Sequence, residues 1–317
     1  MPELPEVQTT VNGLQEHIVG LCITDVWSDY DSPYFKGSET IKDRLYFRYF
    51  KKEVIGLRVA SVSRRAKNIL IHLANDHSAK DISKKILLVH MKMTGHLLYG
   101  TYKLDQSKKK DPWKAIEPES LKDPFNQYVH FVISFSNEKH LALSDVRKFA
   151  KVTLIESKTA YESTHLNTIG PEPLEKSFTI EKFVRRLHLH SNGKIKQVLM
   201  DQSIVAGIGN IYADESLWRA GIHPLEKVTN ISPAKLKSLF TAVKKTLAKG
   251  IHLGGDSTSD YRNIHGNKGK FHETHHAYQR TGTPCDKNGC DGTIKRIVMG
   301  GRATHFCDIH QNLYSIE

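Results

Sequence analysis

Cys285, Cys290, Cys307 and His310 crowd the C-terminal end of a 317-residue chain that holds only 4 cysteines. They form two close pairs, Cys-x4-Cys and Cys-x2-His, and the β-like stretch between them turns at Gly300-Gly301. Zinc takes four nitrogen or sulfur ligands in a tetrahedron, and two such pairs on hairpin knuckles supply that number. His305 competes for the fourth place, but it lies beside Cys307 and closes a two-residue knuckle less easily than His310 does. A unit this short cannot hold itself together by burial alone, so the metal supplies its folding energy. The spacing predicts one structural Zn2+ per chain. At the opposite end, MPELPEV sets Pro2 directly behind Met1, with Glu3 and Glu6 close by. By themselves these residues read as an ordinary helix entry, where acids complement the macrodipole.

The elements that position these groups sit in a basic, water-compatible chain. Lys+Arg number 46 against 34 Asp+Glu, a formal net charge of +12 at pH 7. An excess of that size points to a polyanionic partner. No apolar run approaches the ~20 residues that span a bilayer, and the N-terminus lacks the charged-then-apolar layout of a signal peptide. A cytoplasmic protein without a membrane partner is expected. In a reducing compartment its cysteines serve as thiols or metal ligands rather than disulfides, and the isolated Cys22 reads as a small core residue.

Leu4, Val7, Val11, Leu14 and Ile18 recur at spacings of three and four, one apolar face of a helix with Pro5 in its first turn. Strand-like runs follow. In YVHFVISFS, Val129, Phe131, Ile133 and Phe135 alternate against His130 and Ser134, the period of a half-buried strand. Residues 136–139 read as a hairpin turn. Several strands without intervening helices predict an antiparallel sandwich or flattened barrel. The polar, proline-broken stretch SKKKDPWKAIEPESLKDP reads as a surface excursion. Around Gly170, Pro171 and Pro173 the pattern turns helical, and the last helix starts at a Ser232 cap with Pro233 and stops at Gly250. A glycine-rich polar loop and the cysteine unit complete the chain. The expected domains are 1–166, a linker at 167–175, 176–279 and 280–317.

Taken together, PELPEV after Met1, RRAK at 64–67, GPEPL at 170–174, GIGNIYADESL at 207–217 and GRAT at 301–304 resemble the formamidopyrimidine-DNA glycosylases, nearly end to end and in order. The resemblance implies an α+β fold. An N-terminal antiparallel β-sandwich with an N-terminal helix precedes a helix–two-turn–helix domain and a C-terminal zinc ribbon.

The resemblance also implies roles. Removing Met1 leaves Pro2 with a free secondary amine, which attacks C1′ of a deoxyribose to give an iminium. Glu3 is placed to protonate the sugar ring oxygen and shuttle protons. Lys67 matches a lysine that contacts the lesion, and Arg302 an arginine that grips the phosphates flanking it. Met93, Arg147 and Phe149 match the residues that fill the gap left by an extruded base, although Met93 and Phe149 also fit a core. Asn210, with its glycines, resembles the phosphate-facing turn of the helix–two-turn–helix motif. Lys194 and Lys196 are expected backbone contacts nearby. The chain departs from the family pattern in SDVRKFA, where DPRRFG is usual, and in Asn126, where the family often has histidine. It departs again in the wide first knuckle and in His310, where cysteine is usual.

The expected activity is a bifunctional DNA glycosylase and abasic-site lyase for 8-oxoguanine and formamidopyrimidines. Its partner is double-stranded DNA carrying oxidised bases or abasic sites, bound by a monomer of bacterial, nucleoid-associated type. Two alternatives remain open at this point. One is the sister group that excises oxidised pyrimidines, whose members usually begin PEGPE where this chain has Leu4. The other is a non-catalytic zinc-and-DNA-binding protein on the same scaffold. Lesion preference is expected to reside in a loop within 256–274.

Overall fold

The computed structural model describes residues 1–75, 85–108, 112–163 and 166–313. Residues 109–111 of the polar excursion and 314–317 of the C-terminal unit lie outside the described residues. The chain forms two compact units, Met1–Asn167 with Gly254–Lys270, and Thr168–Leu253 with Phe271–Glu317. The glycine-rich stretch follows the helical region in sequence, yet in space it belongs to the first unit.

That unit opens with α1 (Leu4–His17), whose Pro5 occupies the first turn, where a missing N–H breaks no helical hydrogen bond. Val7, Val11, Leu14 and the following Ile18 are almost wholly buried, each side chain contributing about 1.5–3 kcal/mol. β1 (Ile23–Ser28), α2 (Arg44–Val54), β2 (Arg58–Arg65), β3 (Asn68–Ala74) and β4 (Lys85–His90) follow. Then come β5 (His96–Leu104), β6 (Trp113–Glu117), β7 (Val129–Phe135), β8 (His140–Ser144) and β9 (Lys151–Glu156). They build a five-stranded sheet in the order β1-β7-β8-β5-β6 and a four-stranded sheet in the order β2-β3-β4-β9. Neighbours pair antiparallel throughout. One apolar core joins Ile69, Ile71 and Val89 of the smaller sheet to Phe131, Ile133 and Leu143 of the larger, with α1 and Phe50 of α2 packed in. This is the expected sandwich.

Three local expectations are corrected. Val129 does not share the face of Phe131, because a register shift between them against β8 turns it outward into a second cluster with Leu98 and Val132. The polar excursion is not a mere surface loop: Trp113–Glu117 pairs with β5, and Trp113 and Leu121 are buried in that second cluster. Cys22 is half-buried, bridging to Arg58 at the sheet margin rather than filling the core. The hairpin after β7 forms as expected, closed by the Phe135 N–H donating to Lys139 O, with Glu138 at φ 63°.

The second unit comprises α3 (Ile180–Leu187), α4 (Ile195–Met200), α5 (Asn210–Ala220), α6 (Pro233–His252) and a two-stranded ribbon of β10 (Ile294–Met299) and β11 (Arg302–Cys307). Ser232 caps α6 by accepting from the Lys235 N–H, and the helix passes through Gly250 to His252. α5 ends at Gly221, whose φ of 64° is the left-handed cap conformation that glycine adopts without strain. Among the described residues no helix is long and apolar enough to cross a membrane.

Candidate active site and metal centre

The N-terminal end is ordered by paired carboxylates. Pro2 is buried behind a half-buried Met1, and Glu3 and Glu6 are 2% and 1% exposed. Buried carboxylates are tolerable only when hydrogen-bonded, and these two form a reciprocal capping box at the start of α1. Glu6 Oε2 accepts the Glu3 N–H at 2.7 Å. Its other oxygen accepts the Asp256 N–H at 2.7 Å, and its carbonyl accepts the Tyr261 hydroxyl at 3.0 Å. Burial pushes the Tyr261 phenol up, so it remains a donor. Gly255, at φ 86°, passes so close that a Cβ would lie 3.0 Å from Glu6 Cγ. Glu6 therefore ties the glycine-rich loop to the backbone beside Pro2. Its signal in the sequence was the acid three residues after Glu3.

Lys67 occupies the two-residue turn between β2 and β3, with Ala66 at φ 51°. It is 6% exposed, not a solvated edge lysine. Gln15 Nε2 donates to Val62 O at 2.8 Å, and Arg64 Nε donates to Gln8 Oε1 at 2.9 Å. Moving from Gln15 to Gln8 toward the helix start thus parallels moving from Val62 to Arg64 toward the turn. Glu3 and Lys67 consequently lie at the same end of this packed pair. His90, unmarked in the sequence, stands opposite Asn68 in the β3–β4 register. Burial first, then the charges of Lys92 and Lys67, push its imidazole down to about 3. Its Nδ1 accepts the Lys92 N–H at 3.0 Å, which assigns the proton to Nε2.

The three gap-filling candidates are exposed rather than core: Met93 37%, Phe149 47%, with Arg147 beside them. The Arg147 guanidinium sits 4.6 Å from the Phe149 ring centre. Asp145, fully buried, joins their two turns. One oxygen accepts the Thr94 hydroxyl, next to Met93, and the Arg147 N–H at 3.3 Å. The other accepts the Ala150 N–H at 2.7 Å and the Tyr30 hydroxyl at 3.1 Å. SDVRKFA keeps the aspartate that closes the turn.

In the second unit, Lys194 is exposed ahead of α4, and Arg302 is exposed at the tip of the ribbon. Lys196 is a correction. It is 1% exposed, with Nζ 2.6 Å from Asp214 Oδ1, 2.8 Å from Thr304 Oγ1 and 3.2 Å from Ala303 O. Its charge is spent inside the fold, so it is no backbone contact. Asn210 Nδ2 donates to the same Ala303 carbonyl at 3.0 Å. Lys196 and Asn210 thus hold the ribbon strand that carries Arg302.

Cys285, Cys290, Cys307 and His310 bring one ligand atom each to within 4.8 Å of one another. Cys290 Sγ lies 3.6 Å from both Cys307 Sγ and His310 Nδ1. His310 Nε2 donates to Trp218 O at 3.0 Å, which leaves Nδ1 to face the sulfurs as a lone pair. His305 is engaged elsewhere, with Nδ1 3.1 Å from Asp214 Oδ2. Three thiols and an imidazole in this arrangement can hold one metal ion, and the donor set suits tetrahedral zinc.

The comparisons with known proteins agree with this geometry. The model for the formamidopyrimidine-DNA glycosylase N-terminal domain matches residues 1–152, and that for the formamidopyrimidine-DNA glycosylase H2TH domain matches residues 169–262. The formamidopyrimidine-DNA glycosylase of Herpetosiphon aurantiacus is 34% identical, covering 98% of this chain and 100% of its own. That of Roseobacter denitrificans is 34% identical over 97% and 98%. Among solved structures, Lactococcus lactis Fpg in complex with DNA containing an abasic site superposes with a TM-score of 0.78 at 30% identity, covering 98% of this chain and 99% of its own. MutM in complex with DNA containing carbocyclic 8-oxo-G gives 0.78 at 30%, covering 98% and 100%. With both domain models matching in order and relatives aligned over their full length, the chain belongs to the formamidopyrimidine-DNA glycosylase family.

Proposed function

We propose that this DNA glycosylase excises oxidised purines, 8-oxoguanine and formamidopyrimidines, from double-stranded DNA and nicks the abasic site that results. The observation that carries this reading is the buried Pro2–Glu3 terminus, clamped by Glu6 to the loop at Asp256. Once Met1 is removed, the Pro2 nitrogen has a lone pair and attacks C1′ while the bond to the base breaks. Glu3 protonates the ring oxygen as the sugar opens. The iminium on proline keeps its positive charge while the double bond stands, so it draws electrons from C2′–H. Loss of that proton expels the 3′ phosphate, and a second elimination expels the 5′ phosphate.

Lys67 contacts the lesion, and the neutral His90 beside it offers an N–H donor without an added charge. Met93, Arg147 and Phe149 fill the gap left by the extruded base, which costs a few kcal/mol to unstack. Arg302, Lys194 and Asn210 hold flanking phosphates. Cys285, Cys290, Cys307 and His310 would hold one structural Zn2+, which would supply folding energy to the ribbon that carries Arg302. We take the working form to be a nucleoid-associated monomer in a bacterial-type cytoplasm.

Incubation with duplexes carrying 8-oxoguanine, formamidopyrimidine, an oxidised pyrimidine or an abasic site, with and without borohydride, tests the reading. Base release and a trapped adduct on the oxidised purines are expected. Preference for the oxidised pyrimidine, or no adduct on any duplex, contradicts it.

A further inference from the structure

We propose that Asp123 and Arg262 form a positioning pair through which the excursion between β5 and β7 sets the loop of residues 254–270 against the N-terminal helix. The inference rests on the reading of Pro2 and Glu3 as the reacting end. Arg262 is 1% exposed, a charged side chain almost wholly buried. Its Nε lies 3.3 Å from Asp123 Oδ2, and Nη2 lies 3.4 Å from both carboxylate oxygens. The guanidinium stacks 4.7 Å from the Phe125 ring centre. Nη1 donates to the carbonyls of Ser259 at 3.1 Å and Tyr261 at 2.9 Å. A planar fork with all three nitrogens engaged fixes orientation in a way lysine cannot reproduce.

From Arg262 the contacts run without a break to the N-terminus. Tyr261, whose carbonyl Arg262 holds, donates its hydroxyl to Glu6 O. Asp256, in the same loop, donates its N–H to Glu6 Oε1, and Glu6 Oε2 holds the Glu3 N–H. The excursion makes further bonds to the loop: Ser120 Oγ donates to His265 O, and Asn126 Nδ2 donates to Gly266 O at 3.4 Å. Gly266, at φ 81°, passes so near that a Cβ would lie 2.5 Å from Ser120 O. The loop seats Ile264 in the core of the first unit and buries Tyr261, but its glycines at 254, 255, 266 and 269 leave the backbone around those anchors able to open locally unless pinned. The excursion supplies the pins. In functional terms, Asp123 and Arg262 govern how well the loop is held beside the base to be released, and neither touches the reacting atoms.

Asp123→Asn tests this in the full chain, because it removes the charge while keeping an acceptor for the Phe125 N–H. Hydrogen exchange of the wild type and the variant should differ in the 254–267 segment, with opening roughly tenfold or more faster there, while β3 and β4 stay protected. In single turnovers, base release should slow more than cleavage of a preformed abasic site, since only the former needs the base held. Arg262→Lys should resemble Asp123→Asn rather than wild type. Unchanged exchange in the loop overturns the proposal, as does a loss of protection spread over both sheets with the two activities falling together. If the wild type acts on neither substrate, the proposed function fails, and the exchange measurement still decides the pairing.

Discussion

Glu6 Oε2 accepts the backbone N–H of Glu3 at 2.7 Å while Glu6 Oε1 accepts that of Asp256 at 2.7 Å, so one buried carboxylate fastens two distant pieces of chain to each other. Glu6→Ala leaves both N–H groups without their acceptor in a buried place. Each unsatisfied group costs about 1–3 kcal/mol. The variant should unfold at lower urea concentration and give little borohydride adduct, whereas Glu6→Gln, which keeps one acceptor, should retain more of both. Equal behaviour of the two variants contradicts the clamp.

Lys196 and Arg302 separate by location. Lys196→Ala leaves Asp214 as a buried charge without its cation, a loss of about 3–5 kcal/mol in stability. Arg302 is exposed at the ribbon tip, so Arg302→Ala should change stability by no more than about 0.5 kcal/mol. It should instead weaken duplex binding and flatten the plot of log K against log salt by about 0.9. Urea titration and binding at several salt concentrations read out the two effects. A stable Lys196→Ala protein with a flattened salt slope would return Lys196 to the surface.

Metal analysis should find one zinc per chain, and chelation should lower duplex affinity by loosening the ribbon. His310→Ala should lose metal, because the three remaining thiols leave the tetrahedron open. His305→Ala should keep it, since His305 faces Asp214. Retention by the first and loss by the second reverses the ligand assignment.

His90 predicts a pH dependence. Its folded-state pKa, about 3, lies below the ordinary histidine value, so between those limits the unfolded chain binds the extra proton. Stability therefore rises with pH in that window. As pH falls through the ordinary histidine range the folded state should lose stability, and His90→Gln should lose less than wild type. Urea unfolding at pH 7 and pH 5 compares them, and identical losses contradict the neutrality of this half-buried imidazole.

Much of the fold is legible because apolar spacing decides which residues go inside. The α1 stripe from Leu4 to Ile18 and the alternation from Phe131 to Phe135 are plain in the sequence. The alternation puts Val129 on the wrong face because a β-bulge shifts register without any local signal. Trp113 and Leu121 were hidden in a polar, proline-rich stretch, and only the unfilled outer face of β5, β7 and β8 gives them somewhere to pack. At the candidate site, residue types were readable but surroundings were not. Lys196 looks like any basic residue until Asp214 and Thr304 close around it. His90 acquires meaning only through cross-strand pairing, and Asp145 only where two turns meet.

If the nitrogen of Pro2 is the nucleophile, mass-spectrometric mapping of the borohydride-trapped adduct reveals it at the atom that reacts. The duplex remnant should be attached to an N-terminal peptide that begins at Pro2, Met1 having been removed, and Pro2→Gly should slow strand cleavage sharply while duplex binding persists. Attachment at Lys67 or another lysine, or a trapped adduct from a chain that still carries Met1, contradicts it.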